Sequence, residues 1–102
     1  MNNVIEKIKK QIKDNNLIIY IKGTPSNPMC GFSSKVINIL NILELEYAYV
    51  DILEHADIRK ALPIYSCWPT FPQVFYKEKF IGGADIISEL YETNQLQQIL
   101  TA

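Results

Sequence analysis

Residues Leu17 to Ser33 read LIIYIKGTPSNPMCGFS, an apolar run that breaks into a turn-rich stretch and ends on a cysteine followed by glycine. Leu17-Ile18-Ile19-Tyr20-Ile21 is continuous and β-branched, the pattern of a strand buried on both faces. From Gly31 onward Phe32, Val36, Ile39, Leu40 and Leu43 recur at helical spacing, so an amphipathic helix running to about Leu43 carries Cys30 at its N-terminus. A thiol there meets unpaired backbone N–H groups and the positive end of the helix dipole. Both favour the thiolate over the thiol. A small apolar cysteine closing a helix is the alternative for a lone Cys.

Toward the N-terminus, Val4, Ile5, Ile8 and Ile12 share one face of a helix from Asn3 to Asn15, capped at Asn2 or Asn3. Toward the C-terminus, Tyr47 to Asp51 reads as a second strand. The intervening helix makes a right-handed parallel crossover the default. His55 to Tyr65 is a short helical stretch with Ile58, Ala61, Leu62 and Tyr65 inward, disturbed by Pro63. His55, the lone histidine, suits a cap or a solvent position. Trp68-Pro69-Thr70-Phe71-Pro72 forms a rigid loop, because each proline removes a donor and restricts its predecessor. Gln73 to Tyr76 and Lys79 to Gly82 make a hairpin across Lys77-Glu78. A two-residue turn is the expectation, with a wider one as the alternative because neither turn residue favours positive φ. Gly82-Gly83 permits close backbone approach, Asp85 suits a helix cap, and Ile86, Ile87, Leu90 and Tyr91 mark the helix behind it. Leu96 to Leu100 is a last short helix. The order αβαβαββαα predicts one α/β domain over residues 1–102, a mixed four-stranded sheet flanked by helices.

Composition excludes several classes. A net charge of −1 with interspersed signs suits neither a nucleic-acid surface nor a polybasic membrane patch. No apolar run approaches the ~18 residues of a membrane span, and Met1-Asn2-Asn3 leads into a charged helix, unlike a signal peptide. Two cysteines without an export signal point to a reducing compartment, the cytoplasm, and to a reactive thiol in preference to a structural disulfide. Arg59 is the single arginine against a lysine background. Either it recognises a carboxylate in planar, bidentate fashion or its identity is chance.

Lys22-Gly23-Thr24-Pro25 with Cys30-Gly31-Phe32-Ser33, Trp68-Pro69-Thr70-Phe71-Pro72 and Gly82-Gly83-Ala84-Asp85 resembles, in register and over nearly the whole chain, the monothiol CGFS-type glutaredoxins of the thioredoxin-like superfamily. The resemblance implies a glutathione site. Lys22 and Arg59 would meet the glycine carboxylate, and the backbone of Phe71, beside a cis Pro72, would bond the cysteinyl unit like an added strand. The N–H groups of Ala84 and Asp85 would hold the γ-glutamyl carboxylate, with the Asp85 side chain on the ligand's ammonium or capping its helix. Ser33 stands where dithiol relatives carry the second, resolving cysteine, so Cys30 would depend on external glutathione. Some relatives carry a cysteine in the Gly-Gly turn, where this chain has Ala84. Cys67 lies outside the family pattern, and reads as a structural or peripheral cysteine or else as a resolving thiol.

Two functions of different class follow from the resemblance. In one, Cys30 attacks protein–glutathione mixed disulfides. In the other, Cys30 ligates a 2Fe-2S cluster. Such a cluster needs four thiolates, and two chains giving Cys30 plus two glutathiones supply them, which implies a cluster-bridged homodimer or a heterodimer. The Lys22 to Met29 connection exceeds the usual ~2 to 6 residues of a βα loop. In CGFS-type relatives the longer loop accompanies cluster binding and transfer. The expected function is therefore cluster carriage and delivery to iron-sulfur apoproteins, with BolA-like proteins as further partners and oxidoreduction as the second reading.

Overall fold

The computed structural model describes residues 2–102, built as α1 (Asn2–Asp14), β1 (Leu17–Ile21), β2 (Gly23–Thr24), β3 (Asn27–Pro28), α2 (Gly31–Ile42), β4 (Ala48–Asp51), α3 (Ala56–Ser66), β5 (Gln73–Tyr76), β6 (Lys79–Gly82), α4 (Ala84–Glu92) and α5 (Leu96–Leu100). Four strands form one mixed sheet in the order β4-β1-β5-β6. β1 is central, parallel to β4 and antiparallel to β5.

The period of two along β1 divides the core. Leu17, Ile19 and Ile21 pack with α2, α4 and α5, while Ile18 and Tyr20 pack with Ile8 and Ile12 of α1 and Ile58, Ala61 and Leu62 of α3. Every residue of β1 is buried, as an unbroken apolar run between two helical layers requires. The Tyr20 hydroxyl donates to Gln11 Oε1 at 2.8 Å, which satisfies the one polar atom this strand carries inward.

The expected order holds, with one addition and several local corrections. The Lys22 to Met29 connection folds as a small ribbon, β2 pairing with β3. Asn2 and Asn3 both lie inside α1, not before it. α3 continues through Pro63 to Ser66 although the proline has no N–H to give to the Arg59 carbonyl. Tyr65 and Phe32, both read as inward, are exposed, Phe32 by 61%. The β5–β6 turn does have the expected two residues: Lys77 and Glu78 take φ of 47° and 69° despite their poor preference for it, the geometry of a two-residue hairpin that follows the sheet twist. α4 is capped by Gly83, two residues before Asp85, which lies inside the helix. A Cβ at Gly83 would come to 3.0 Å from the Trp68 indole nitrogen, so a side chain there would have to push the indole aside by a few tenths of an ångström. No helix of the described residues is long and apolar enough to cross a membrane.

Candidate functional site

Register gathers the chemistry at one end of the sheet. Ile21 pairs with Asp51, Tyr20 with Gln73, and Val74 with Gly82, so the segments beginning at Lys22, Ile52 and Gly83 and the loop ending at Pro72 emerge together. This is the carboxyl end of β1, where open α/β sheets place ligands. A cleft of about 540 Å3 lies there, and Lys22, Cys30, Arg59, Phe71, Ala84 and Asp85 all line it. The sequence reading did not identify Phe32, Pro63, Pro69 and Thr70, which complete the wall. Phe32 was assigned to the core by its helical spacing. Its place in the first turn, beside the thiol, is the signal that separates it from Val36.

Cys30 is the cap residue of α2, extended at φ −153° and ψ 135°, and its carbonyl accepts the Ser34 N–H at 2.9 Å. The thiol is half-buried. Burial pushes its pKa up. The backbone N–H groups of Ser33 and Phe32, then the Lys22 ammonium and the Ser33 hydroxyl, act oppositely, and the balance lies below the ordinary thiol value.

Ser33 is fully buried, and its hydroxyl oxygen accepts the Lys22 N–H at 3.1 Å. The Lys22 carbonyl accepts the Met29 N–H at 2.9 Å. The base of the lysine is thereby tied to both ends of the Cys30 segment. Between these ties the ribbon is ordered by its own chemistry. The Thr24 hydroxyl accepts the Asn27 N–H at 3.1 Å, and Asp51 Oδ1 accepts the Gly23 N–H at 2.9 Å, joining the ribbon to β4. Gly23 has φ 96°, and a Cβ there would lie 2.5 Å from the Asn27 carbonyl oxygen, so the ribbon closes only around glycine.

Opposite the thiol, the Phe71–Pro72 peptide is cis, as the resemblance implied. Ala84 and Asp85 open α4, whose first-turn N–H groups face the cleft end of the helix axis. Among the described residues neither Lys22 nor Arg59 has a carboxylate within ion-pair distance. Two unneutralised cations lining one cleft suit an anionic ligand. His55 precedes α3, exposed and without a side-chain capping bond. Cys67 is exposed at the end of α3, in a left-handed conformation at φ 57°, and does not line the cleft. Among the described residues, no group of three or more His, Cys, Asp or Glu is gathered so as to hold a metal ion.

A half-buried thiol capping the helix after the central strand of a four-stranded mixed sheet, opposite a cis-proline loop, defines a thiol protein of thioredoxin-like fold. The glutaredoxin family model matches residues 17–81. The chain belongs to the glutaredoxin family, and Cys30-Gly31-Phe32-Ser33 makes it a monothiol member. It is 54% identical to glutaredoxin 4 of Buchnera aphidicola subsp. Schizaphis graminum over 99 residues, 97% of this chain and 92% of that protein. The solution structure of a monomeric truncated mutant of Trypanosoma brucei 1-C-Grx1 aligns with a TM-score of 0.86 at 38% identity, covering 94% of this chain and 87% of its own. A crystal structure of a buckwheat glutaredoxin–glutathione complex aligns with a TM-score of 0.86 at 26% identity, covering 98% and 89%.

Proposed function

We propose that this monothiol glutaredoxin binds glutathione along the cleft and, with it, carries a 2Fe-2S cluster as cargo to iron-sulfur apoproteins in a reducing compartment, the cytoplasm. The observation that carries the proposal is the cleft's thiol inventory: one cysteine, Cys30, with a buried hydroxyl at Ser33 and the other thiol outside. The donor set of one chain is too small for a cluster. Four soft thiolates arise when two copies each contribute Cys30 and one bound glutathione, which makes glutathione a shared ligand and the holo form a homodimer. Lys22 and Arg59 suit the glycine carboxylate, the Phe71 backbone suits the cysteinyl unit, and the Ala84 and Asp85 N–H groups suit the γ-glutamyl carboxylate, with Asp85 near its ammonium. A relative in complex with glutathione supports this assignment. A BolA-like protein in place of the second copy gives the corresponding heterodimer.

Anaerobic reconstitution with iron, sulfide and reduced glutathione tests the proposal. The expected product is a coloured dimer with the absorbance of a 2Fe-2S centre, absent when glutathione is omitted. Cys30→Ser abolishes it and Cys67→Ser does not. A cluster that assembles equally well without glutathione would falsify the shared-ligand scheme.

The lowered thiol pKa favours a second reading, glutathione-dependent oxidoreduction. The Cys30 thiolate attacks the glutathionyl sulfur of a protein–glutathione disulfide, forming a Cys30–glutathione disulfide and releasing the protein thiolate. The thiolate of a second glutathione then attacks that disulfide, freeing Cys30 and leaving oxidised glutathione. Rapid multiple turnover by a monomer from which no cluster can be obtained selects this reading over the first.

A further inference from the structure

One wall of the cleft is the loop Trp68–Pro72, and a single buried side chain spans it. Gln73, 0% exposed at the first position of β5, donates its amide to the Trp68 carbonyl at 2.9 Å and to the Thr70 carbonyl at 3.1 Å. The indole of Trp68 makes the next link. Its ring sits 5.5 Å from that of Phe80 on β6, and its Nε1 is the closest neighbour a Cβ on Gly83 would meet. A continuous line of contact therefore joins the Gln73 amide, the loop, the indole and the cap of α4. Phe71 and Ala84, assigned above to the adjacent cysteinyl and γ-glutamyl units of the ligand, are both attached to this line.

Core packing does not require an amide at position 73. The strand that Gln73 opens continues Val74-Phe75, both buried, and an apolar side chain would fill the same volume. Instead the amide leaves its Oε1 buried without a partner, a cost that only the two carbonyl contacts offset.

We propose that Gln73 is a positioning residue: by holding the Trp68 and Thr70 carbonyls it sets the spacing between the Phe71 backbone and the N-terminus of α4, and with it the affinity of the cleft for a γ-glutamyl-cysteinyl ligand. The inference rests on the glutathione reading and specifies which residue outside the cleft controls it. Gln73 does not touch the thiol. Its loss therefore weakens binding while the reactivity of Cys30 in the free protein stays as it was.

The test is Gln73→Glu, nearly isosteric, which turns the donor toward both carbonyls into an acceptor. Calorimetric titration with reduced glutathione is expected to show affinity reduced roughly tenfold at neutral pH, the scale of one buried donor lost. Trp68, the only tryptophan in the chain, reports the altered loop by a shifted emission. The alkylation rate of Cys30 without glutathione remains that of the wild type. Acidification, by protonating the introduced carboxyl, restores one donor and narrows the gap to wild type measured at the same pH. Affinity within about twofold of wild type in a folded variant overturns the proposal. Should Gln73→Glu not fold, Gly83→Ala loads the same line from its other end by placing a methyl group against the indole. Weakened glutathione binding with shifted Trp68 emission is expected, and shifted emission with unchanged affinity overturns the proposal. A wild-type chain that binds no glutathione instead overturns the functional reading, whereas a binding wild type with indifferent variants overturns only the role of Gln73.

Discussion

Ser33 has two consequences for Cys30. Lacking a thiol, it cannot resolve a Cys30 mixed disulfide. Yet its buried hydroxyl accepts the Lys22 N–H and also helps hold the Cys30 thiol below its ordinary pKa. Because burial alone would raise that value, the lowered pKa depends first on the backbone N–H groups of Ser33 and Phe32, and then on a cation and a hydroxyl that mutation can remove. In a Cys67→Ser background, the rate of iodoacetamide alkylation against pH should show a midpoint below that of an ordinary thiol. Lys22→Met removes the nearby charge and Ser33→Ala the hydroxyl, so each should move the midpoint upward. An unmoved midpoint in both would mean that the helix N–H groups act alone. The sign of the linkage to stability is fixed by the same shift. A thiol whose folded pKa lies below its unfolded value contributes stability in full above the unfolded pKa, and loses it as pH falls through the folded one. The melting advantage of the wild type over Cys30→Ser should therefore shrink from alkaline to acid pH.

The elements themselves were legible because their signals are periodic. β1 is a five-residue apolar run, and α2 and α4 each carry a 3.6-residue stripe. What the pattern did not carry is the conformation of residues that break local preference. Glu44, Cys67, Lys77, Glu78 and Asn94 all have positive φ, and only Asn94 is of a type that signals it. Glu44 closes α2: its N–H bonds to the Asn41 carbonyl and the Leu45 N–H to the Leu40 carbonyl, the paired bonds of a left-handed helix terminus. Asn94 closes α4 in the same way, through Tyr91 and Leu90. Glycine usually fills such positions, and tertiary packing of Leu40 and Leu45 against the core imposes the geometry here without it. Glu44→Gly and Glu78→Gly should each stabilise the chain by about 0.5–1 kcal/mol, the relief of left-handed strain less the added freedom of the unfolded state. Urea midpoints read this directly. A lower midpoint in either variant would mean that its side chain makes contacts worth more than the strain.

Across the whole molecule, the cleft residues come from both sides of the sheet. Arg59 belongs to α3, which packs with α1, whereas Cys30 caps α2 and Ala84 and Asp85 open α4, both helices being on the opposite layer. The sequence could assign each of these residues to a motif, but only the strand register shows why motifs separated by tens of residues share one end of the sheet. Gln73 and Phe32 escaped because their significance lies in that assembly: a buried amide is informative only once its two carbonyl partners are known. On the proposed reading, glutathione bridges the two layers, with one end on Arg59 and the other on α4. Ligation of the folded state alone should then stabilise the chain by about 2.7 kcal/mol at a free ligand concentration one hundred times Kd. For a domain of this size each kcal/mol is worth roughly 4–8 °C in Tm, so a rise of roughly 11–22 °C is expected at that concentration of reduced glutathione. Arg59→Ala should need more glutathione for the same rise, while Cys67→Ser should follow the wild-type curve. Hydrogen exchange adds the spatial test: amides of α3 and of α4 should both gain protection from the ligand. Protection confined to α2 and α4, with Arg59→Ala indistinguishable from wild type, would place the ligand on one layer only and remove the arginine from the site.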